Sequence, residues 1–212
     1  MAGPGSDKRE AILNTALTLF VERGFYGTPT SLISKEAGVA TGTLFFYFNT
    51  KEELIDTLYL RVKAEAALAM CRGLDDEPNT ASRLRQLWKN AVEWGIKNPE
   101  KMQFMEQFAH SPFVSTIAQQ EGMNRFAFME DLVRTGVNEG ILRNIDRQLL
   151  FCMMASALGS VITCVAAAKR TDERQKFMEQ GMEILWNGLA ADSGAKQQGR
   201  KMKQTKTKEV IV

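Results

Sequence analysis

Hydroxyl groups, a glycine and a run of aromatic rings lie close together at positions 41–48, TGTLFFYF. The hydroxyls of Thr41 and Thr43 can hydrogen-bond to a phosphate or a base edge, and their methyl groups can contact a thymine methyl. The phenol of Tyr47 can donate a hydrogen bond to a phosphate. Gly42 allows another backbone to approach closely. These residue types are suited to contact with a nucleic acid.

Groups that support catalysis or metal binding are scarce. His110 is the only histidine, and Cys71, Cys152 and Cys164 are far apart, with no CxxC or Cys/His ligand spacing. We therefore expect no catalytic residue, no metal and no cofactor. We expect the thiols to be buried and reduced, as in a cytoplasmic protein. Chemistry by carboxylates alone is the enzymatic alternative that inspection leaves open.

Helical geometry divides positions 41–48 into an inner and an outer face. At about 100° per residue, Leu44 and Phe48 fall on one side and must face inward. Gly42, Thr43 and Phe46 point away from that side, while Phe45 and Tyr47 lie on its two flanks. Two interpretations remain: the outer face enters the major groove of DNA, or its rings pack on a partner helix or a later domain.

The elements before this segment form the supporting part of a helix-turn-helix. Asp7 is a suitable N-cap for a first helix, and Gly24 is placed to end it. A second helix begins at Thr28 with Pro29 in its first turn and ends at Gly38, only a few residues before the third. This pattern of helix, tight turn and short helix predicts a helix-turn-helix.

Only helices are predicted after residue 50. Thr50 and Glu53 form a capping box for a helix over about 51–72. Lys51 opposes the dipole in its first turn, which indicates either a functional contact or a tolerated, solvated lysine. Further helices are expected at about 80–97, 99–110, 114–138, 147–169 and 173–191. The predicted fold class is all-α.

The stretch GTPTSLISKEAGVATGTLFFYFNTKEEL resembles the N-terminal signature of tetracycline-repressor (TetR)-type transcriptional regulators. The match covers roughly residues 7–60 and is carried by the following residues: Thr28, Ile33, Ala37, Gly38, Val39, Gly42, Leu44, Phe48, Lys51 and Leu54. It implies a helix-turn-helix domain at 7–52 followed by a larger helical effector-binding and dimerisation domain at 53–192. The basic segment 193–212 is expected to be a disordered tail.

The resemblance also implies that residues 41–48 are the recognition helix of a homodimer on double-stranded operator DNA. Bases and sugars would be contacted by Thr41, Gly42, Thr43 and Phe45. Phe46, on the outer face, is a further candidate DNA-binding residue. Phosphates would be held by Thr28, Thr30, Ser31, Tyr47 and Lys51.

Three positions depart from the family pattern. Ala40 replaces a capping Ser, so that Thr41 can serve as the cap instead. Ser31 stands where a longer polar side chain often reaches a base, and Phe45 stands where Tyr is common. We therefore expect few hydrogen bonds to bases and a larger contribution from DNA shape and methyl contacts.

The larger half is rich in methionine and aromatic residues, which suits an adaptable apolar pocket for a small-molecule effector. The candidate ligand-binding residues are Trp88, Phe104, Phe108, Phe126 and Met129. Arg125 or His110 is placed to anchor an acidic effector. The alternative for each residue is ordinary core packing, and the alternative for the protein is a DNA-binding helical protein without small-molecule control.

The last two helices, about 147–191, are the predicted homodimer surface. Residues 149–168 are nearly uncharged and long enough to span a membrane, but their small and polar residues favour a buried helix in a bundle or dimer interface. The first six residues do not read as a signal peptide, and we expect a cytoplasmic protein. The 212-residue chain has a net charge of +2, and six basic residues with one acid give the tail +5, which leaves −3 for the rest. Any DNA-binding site must therefore be a local patch.

Overall fold

The computed structural model describes residues 4–108 and 111–191, and these residues fold as an all-α protein, as predicted. The helices are α1 Pro4–Arg23, α2 Thr30–Glu36, α3 Thr41–Tyr47, α4 Lys51–Cys71, α5 Thr80–Lys97, α6 Pro99–Phe108, α7 Thr116–Asn124, α8 Ala127–Asn138, α9 Arg147–Ala167 and α10 Thr171–Leu189.

Gly24, Gly38 and Thr50 have their predicted roles at the ends of α1 and α2 and at the start of α4. Gly24 has φ 68°, and its N–H donates to Phe20 O at 2.9 Å to close α1. Gly38, with φ 67°, makes the turn between α2 and α3. The hydroxyl of Thr50 accepts a hydrogen bond from Glu53 N at 3.0 Å and caps α4.

Three predicted helix boundaries were wrong. α2 begins at Thr30 with Pro29 as its N-cap, so Thr28 neither begins nor caps it. α1 begins at Pro4, so Asp7 lies in its first turn instead of capping it. The predicted helix 114–138 is two helices, α7 and α8, separated at Arg125 and Phe126. Phe126 N donates to Met123 O and Met129 N to Phe126 O, both at 2.9 Å, so the chain tightens to i→i−3 bonds there. No glycine or proline marks this break.

The chain separates into two compact units. Unit 1 comprises Met1–Leu74 and Leu87–Met129, and unit 2 comprises Asp75–Gln86 and Glu130–Val212. All residues predicted to bind DNA or effector fall within unit 1. The predicted dimer helices fall within unit 2.

One hydrophobic core joins the helix-turn-helix to later helices of unit 1. Its buried members come from α1, α2, α3, α4, α5, α6 and the region of α7, and the largest fully buried side chains include Phe20, Phe48, Tyr59 and Phe104. The rings of Phe25 and Phe113 stack with centroids 4.2 Å apart and planes at 4°. The α1–α2 turn is therefore packed directly against the segment that precedes α7.

In unit 2, α9 and α10 pack closely together. A Cβ on Gly181 would lie 2.4 Å from Val161 Cγ2, so this contact needs glycine. The pair buries few of its own residues: only Leu150, Ile162 and Val165 of α9 and none of α10. Helix α9 is long and apolar enough to cross a membrane by length and composition, which is weak evidence by itself.

The three cysteines are exposed, contrary to the sequence prediction. Cys71 is the last residue of α4, and Cys152 and Cys164 lie on the part of α9 that unit 2 leaves uncovered. The side chain of His110 and the whole of the basic tail lie outside the described residues.

Candidate DNA-binding surface

Helix α3 is held against unit 1 by its two predicted inward residues. Leu44 and Phe48 are buried, and Leu44 O accepts from Phe48 N at 2.9 Å at the end of the helix. Helix α3 packs on α2 and α1. The inner face is therefore occupied, and the remaining side chains of this seven-residue helix point elsewhere.

The outer face of α3 is open to solvent. The side chain of Phe46 is 81% exposed and that of Phe45 is 43% exposed, while Thr41 and Gly42 are exposed and Thr43 is half-buried. Phe46 packs edge-to-face on Tyr47 with ring centroids 5.1 Å apart. The interpretation that these rings pack on a later domain of the same chain is therefore wrong for Phe46.

Gly42 borders open space. A Cβ built at this position meets no atom within 4 Å, apart from its chain neighbours and nearby helix backbone. Nothing in the chain's own packing thus requires glycine, although glycine inside a helix is less favourable than alanine by about 1 kcal/mol. This is consistent with a position that is kept small for an approaching partner.

The hydroxyl of Thr41 ties α3 to α2. Thr41 Oγ1 lies 3.1 Å from the buried Ser34 Oγ, which also bonds to Thr30 O at 3.0 Å and Ser31 O at 3.1 Å. Since the single proton of Ser34 is directed to these carbonyls, Thr41 is the donor to Ser34. Ala40 is the N-cap of α3 and makes no side-chain capping bond, so Thr41 stabilises the turn without capping the helix.

Thr28 does not belong with the predicted phosphate contacts. Its side chain is completely buried, and its hydroxyl is directed to Leu19 O at 2.9 Å and Gly24 O at 2.8 Å. The N-cap of α2 is Pro29. Thr28 therefore joins the end of α1 to the turn, and its hydroxyl is unavailable to DNA.

Lys51 contacts the protein itself, and its predicted phosphate contact stays a prediction. Its ammonium donates a hydrogen bond to Phe25 O and lies 4.0 Å from the centroid of the Phe25 ring. Burial lowers the pKa of Lys51, and the neighbouring Glu52 opposes this change. The charge is thus directed to the α1–α2 turn.

The other predicted phosphate residues differ in availability. Ser31 is exposed, whereas Thr30 and Tyr47 are half-buried, and Tyr47 packs against the core. At the start of α4, the Glu53 carboxylate accepts hydrogen bonds from Asn49 N at 2.8 Å and Asn49 Nδ2 at 2.9 Å. A carboxylate of the same helix therefore lies at the N-terminus of α4.

The charge of this region is balanced. Residues 7–52 hold five Lys or Arg and five Asp or Glu, so their net charge is zero. Lys51 is turned inward, and Lys35 at the end of α2 is exposed. Electrostatic attraction to phosphates is therefore modest on this surface, and its shape and apolar groups carry more weight.

The candidate effector residues fall into two groups. Phe104 and Phe108 are buried with ring centroids 4.8 Å apart, and Phe108 also lies 6.0 Å from Phe20, so both belong to the core of unit 1. Phe126 and Met129 are half-buried near the start of α8. Trp88 is 5% exposed, and its Nε1 has no hydrogen-bond partner among the described residues.

Lys63 is a functional candidate that sequence reasoning missed. It lies on α4, with its ammonium 5.4 Å from the Tyr59 ring centroid and 5.3 Å from that of Phe126. Burial lowers its pKa. The sequence signal for this contact was the i, i+4 spacing of Tyr59 and Lys63, which places both residues on one face of α4, next to an otherwise apolar stripe.

Arg125 is not placed as an anchor for an acidic effector. It pairs with Glu121 at 3.0 Å on the exposed surface of unit 1, and both side chains remain nearly half exposed. His110 lies outside the described residues. Lys63 is therefore the more suitable cation near the candidate effector residues, since no described carboxylate lies within 4 Å of its ammonium.

The fold and the exposed α3 define a helix-turn-helix protein in which further helices follow the helix-turn-helix. Comparison with protein families agrees: residues 12–58 match the family of bacterial regulatory proteins of the tetR type, and residues 80–189 match the tetracyclin repressor-like C-terminal domain. The second match alone spans half of the chain. The chain belongs to the TetR family of DNA-binding transcriptional regulators, which are not enzymes.

Individual relatives support the same assignment. A tetR family transcription regulator from Shewanella sp. PV-4 is 32% identical with a TM-score of 0.79, over 87% of this chain and 98% of that structure. An HTH-type transcriptional regulator from Haemophilus influenzae is 23% identical over 87% of this chain and 96% of its own length. The transcriptional repressor KstR2 of Mycobacterium tuberculosis is 28% identical over 71% of this chain and 78% of its own length.

Proposed function

We propose that the protein is a cytoplasmic, homodimeric repressor that binds a near-palindromic operator and is released from it by a small, largely apolar effector. The observation that carries the DNA-binding part is the outer face of α3, where Phe46 is 81% exposed beside an unobstructed Gly42. A dimer would place two such helices in successive major grooves, about one turn of DNA apart. The relative KstR2 is named as a repressor.

Selection of bound sequences from random double-stranded DNA at fixed salt tests the DNA-binding function. We expect a near-palindrome whose half-sites are separated by about one helical turn. In a Gly42→Arg variant the new side chain would extend into space that the chain itself leaves open. This variant should keep its thermal stability but no longer bind the selected sequence. Failure to enrich any sequence would contradict the proposal.

The exposed apolar surface of α9 and α10 supports the homodimer. Leu149 and Met153 of α9 are each 54% exposed, and Ile184 of α10 is 75% exposed. Phe177 of α10 is also exposed. Large exposed apolar side chains on two adjacent helices support an interaction surface, and two helices from each of two copies can form a four-helix bundle.

Sedimentation of the purified protein tests the dimer. We expect Ile184→Glu to shift the protein toward monomer, because a carboxylate would be buried without a partner at the interface. Leu68→Glu is the matched control, since Leu68 is 74% exposed on α4 and lies outside the proposed interface. A wild-type monomer at micromolar concentration would contradict this part of the proposal.

Two polar groups in unit 1 support a defined effector chemistry. The buried Trp88 Nε1 offers a donor that no described residue uses, and the Lys63 ammonium lies between the rings of Tyr59 and Phe126. Phe126 and Met129 are half-buried, and the effector would be mostly apolar with a hydrogen-bond acceptor and an acidic group. Phe104 and Phe108 would lie behind this site.

Native mass spectrometry of the purified protein, followed by extraction, tests the effector. We expect a copurifying or added organic acid to weaken operator binding about 5- to 150-fold, which is the usual range of allosteric coupling. Trp88→Phe and Lys63→Met should weaken its binding while leaving operator affinity without effector unchanged. If no screened small molecule alters operator affinity, the alternative of a regulator without small-molecule control is favoured.

Helix α4 connects the two proposed sites. Lys51 at its first residue contacts the turn before α2, and Tyr59 and Lys63 lie two to three turns further along. A displacement of α4 on effector binding would therefore move the support of α3. The spacing of the two recognition helices in the dimer would change, and operator affinity would fall.

A further inference from the structure

The recognition helix carries an unusual set of side chains. The sequence of α3 is TGTLFFY, which contains no guanidinium, ammonium, amide or carboxylate group. Specific contacts to guanine usually come from Arg or Lys, and specific contacts to adenine from Asn or Gln. Helix α3 therefore has none of the side chains that make paired hydrogen bonds to a base.

The hydroxyl groups near α3 provide few hydrogen bonds to bases in place of such side chains. The proton of Thr41 is donated to Ser34 at 3.1 Å, which leaves Thr41 only as an acceptor toward DNA. Thr43 is half-buried, and Ser31 at the start of α2 has a short side chain. Direct readout by hydrogen bonds is thus limited to single contacts, which discriminate weakly between bases.

Gly42, Phe45 and Phe46 all lie on the exposed surface of α3, and we call the open space beside Gly42 the notch. Phe45 and Phe46 follow Gly42 by three and four residues, so their side chains stand on the same stretch of helix surface. Helical side chains also lean toward the N-terminus, over the turn that contains Gly42. Because no atom lies within 4 Å of the Cβ position of Gly42, the notch has room for a methyl group.

We infer that α3 recognises its operator through thymine C5 methyl groups seated in the notch beside Gly42 and in contact with Phe45 and Phe46. The C5 methyl of thymine is the only apolar group that an unmodified base pair presents in the major groove. This inference rests on the proposed DNA-binding function. It specifies the partner as an operator with thymines at the contacted positions of each half-site.

Base analogues in the selected operator test the inference. Deoxyuridine removes only the methyl group of thymine, and we expect each contacted position to lose about fourfold in affinity, the equivalent of about 0.8 kcal/mol per buried methyl or methylene group. A 5-methylcytosine·guanine pair restores the methyl while changing the hydrogen-bonding groups. Affinity should therefore rank thymine and 5-methylcytosine above uracil and cytosine.

Protein variants identify the residues responsible. Gly42→Ala and Phe45→Ala should reduce the ratio of thymine to uracil affinity toward one, because the first fills the notch and the second removes one apolar contact. Tyr26→Ala is the matched control, since Tyr26 is 84% exposed but lies outside α3, and its ratio should stay at the wild-type value. Thermal unfolding checks that all variants are folded.

The outcomes separate this inference from the proposed function. Specific binding with equal affinity for thymine and uracil operators would overturn the inference and leave the function standing. An unchanged ratio in both Gly42→Ala and Phe45→Ala would likewise overturn it. Absence of any sequence-specific binding would overturn the proposed function itself.

Discussion

At the scale of single residues, several hydroxyl groups of the helix-turn-helix form hydrogen bonds within the protein. Thr28 bonds to two backbone carbonyls, and Ser34 bonds to two more while accepting from Thr41. Thr28 fixes the turn before α2, and the contact of Ser34 with Thr41 joins α2 to α3. The orientation of the recognition helix therefore depends on buried hydroxyls.

Replacing Thr28 should destabilise the fold. Thr28→Val keeps the shape but leaves Leu19 O and Gly24 O without this donor, and we expect a loss of about 1–2 kcal/mol in the free energy of unfolding. Thr28→Ser keeps the hydroxyl and should retain more of the stability. Chemical denaturation measures both, and equal stability of Thr28→Val and wild type would contradict the structural role.

Lys63 should make stability depend on pH. Burial lowers its pKa in the folded state, so the unfolded chain binds more protons below about pH 10.5 and stability should rise with pH through the window beneath that value. Lys63→Met should raise the melting temperature at pH 7 and flatten this rise, and the exposed Lys89→Met should do neither.

Thermal unfolding between pH 7 and 10 measures the effect of Lys63. The series should end at pH 10, because burial raises the pKa of Tyr59 and its ionisation in the unfolded chain lowers stability above that pH. A lower melting temperature for Lys63→Met at pH 7 would show that the ring contacts outweigh the burial of the charge.

Sequence reasoning placed the residues of the site better than it assigned their contacts. The i, i+4 spacing of Leu44 and Phe48 correctly predicted which side of α3 is buried. It could not predict that Thr28 faces inward or that Lys51 turns to Phe25, because a threonine or lysine at a helix start suits either role. Those contacts depend on the tertiary position of the α1–α2 turn.

At the scale of elements, glycines separate contacts within the chain from surfaces left open. Gly181 faces Val161 at a distance that excludes a Cβ, whereas a Cβ on Gly159 meets no atom within 4 Å. Both glycines lie on the α9–α10 pair. One is thus needed for the pair itself, and the other borders a surface that the chain does not cover.

Alanine at these two positions should have opposite effects. We expect Gly181→Ala to destabilise unit 2 by about 1–3 kcal/mol through overpacking against Val161. Gly159→Ala should be neutral or stabilise the isolated chain by up to about 1 kcal/mol. Differential scanning calorimetry measures both, and a stable Gly181→Ala would mean that α9 and α10 adjust freely.

Element boundaries were predictable where a capping residue or glycine marks them. Gly24, Gly38 and Thr50 each have the predicted role. The break between α7 and α8 has no such mark and follows from packing, with Phe126 inserted against the core of unit 1. The periodicity of 114–138 was helical on both sides of the break, which concealed it.

At the scale of the whole molecule, the balanced charge of the helix-turn-helix determines how binding should respond to salt. The slope of log affinity against log salt reports the number of phosphates neutralised. With a net charge of zero over residues 7–52 and Lys51 directed inward, few phosphate contacts are available. Association should therefore depend more on groove complementarity than on counterion release.

A chain truncated after residue 192 should show a shallow salt dependence. We expect a slope smaller in magnitude than roughly −4, the value for about four neutralised phosphates. Fluorescence anisotropy with the selected operator, at salt concentrations from about 50 to about 300 mM, measures this slope. A steeper slope in the truncated chain would contradict the inward position of Lys51, and a steeper slope only in the full chain would assign phosphate contacts to the tail.

The fold class and the helix-turn-helix followed from the sequence because their patterns are local. The placement of the later helices was also largely predictable, but their grouping into two units was not. Unit 1 joins residues before Leu74 to residues after Leu87, so it depends on contacts between segments distant in the chain. The domain boundary near residue 52 remains a prediction, and the core that α3 shares with α4 and α6 crosses it.

The close approach of Gly181 to Val161 has a consequence for the history of the sequence. The side-chain volume at each of these positions limits the volume that fits at the other, so substitutions at the two positions are not independent. Homologues with a bulkier amino acid in place of Gly181 should carry a smaller one in place of Val161. An alignment of orthologues should therefore show these two columns covarying.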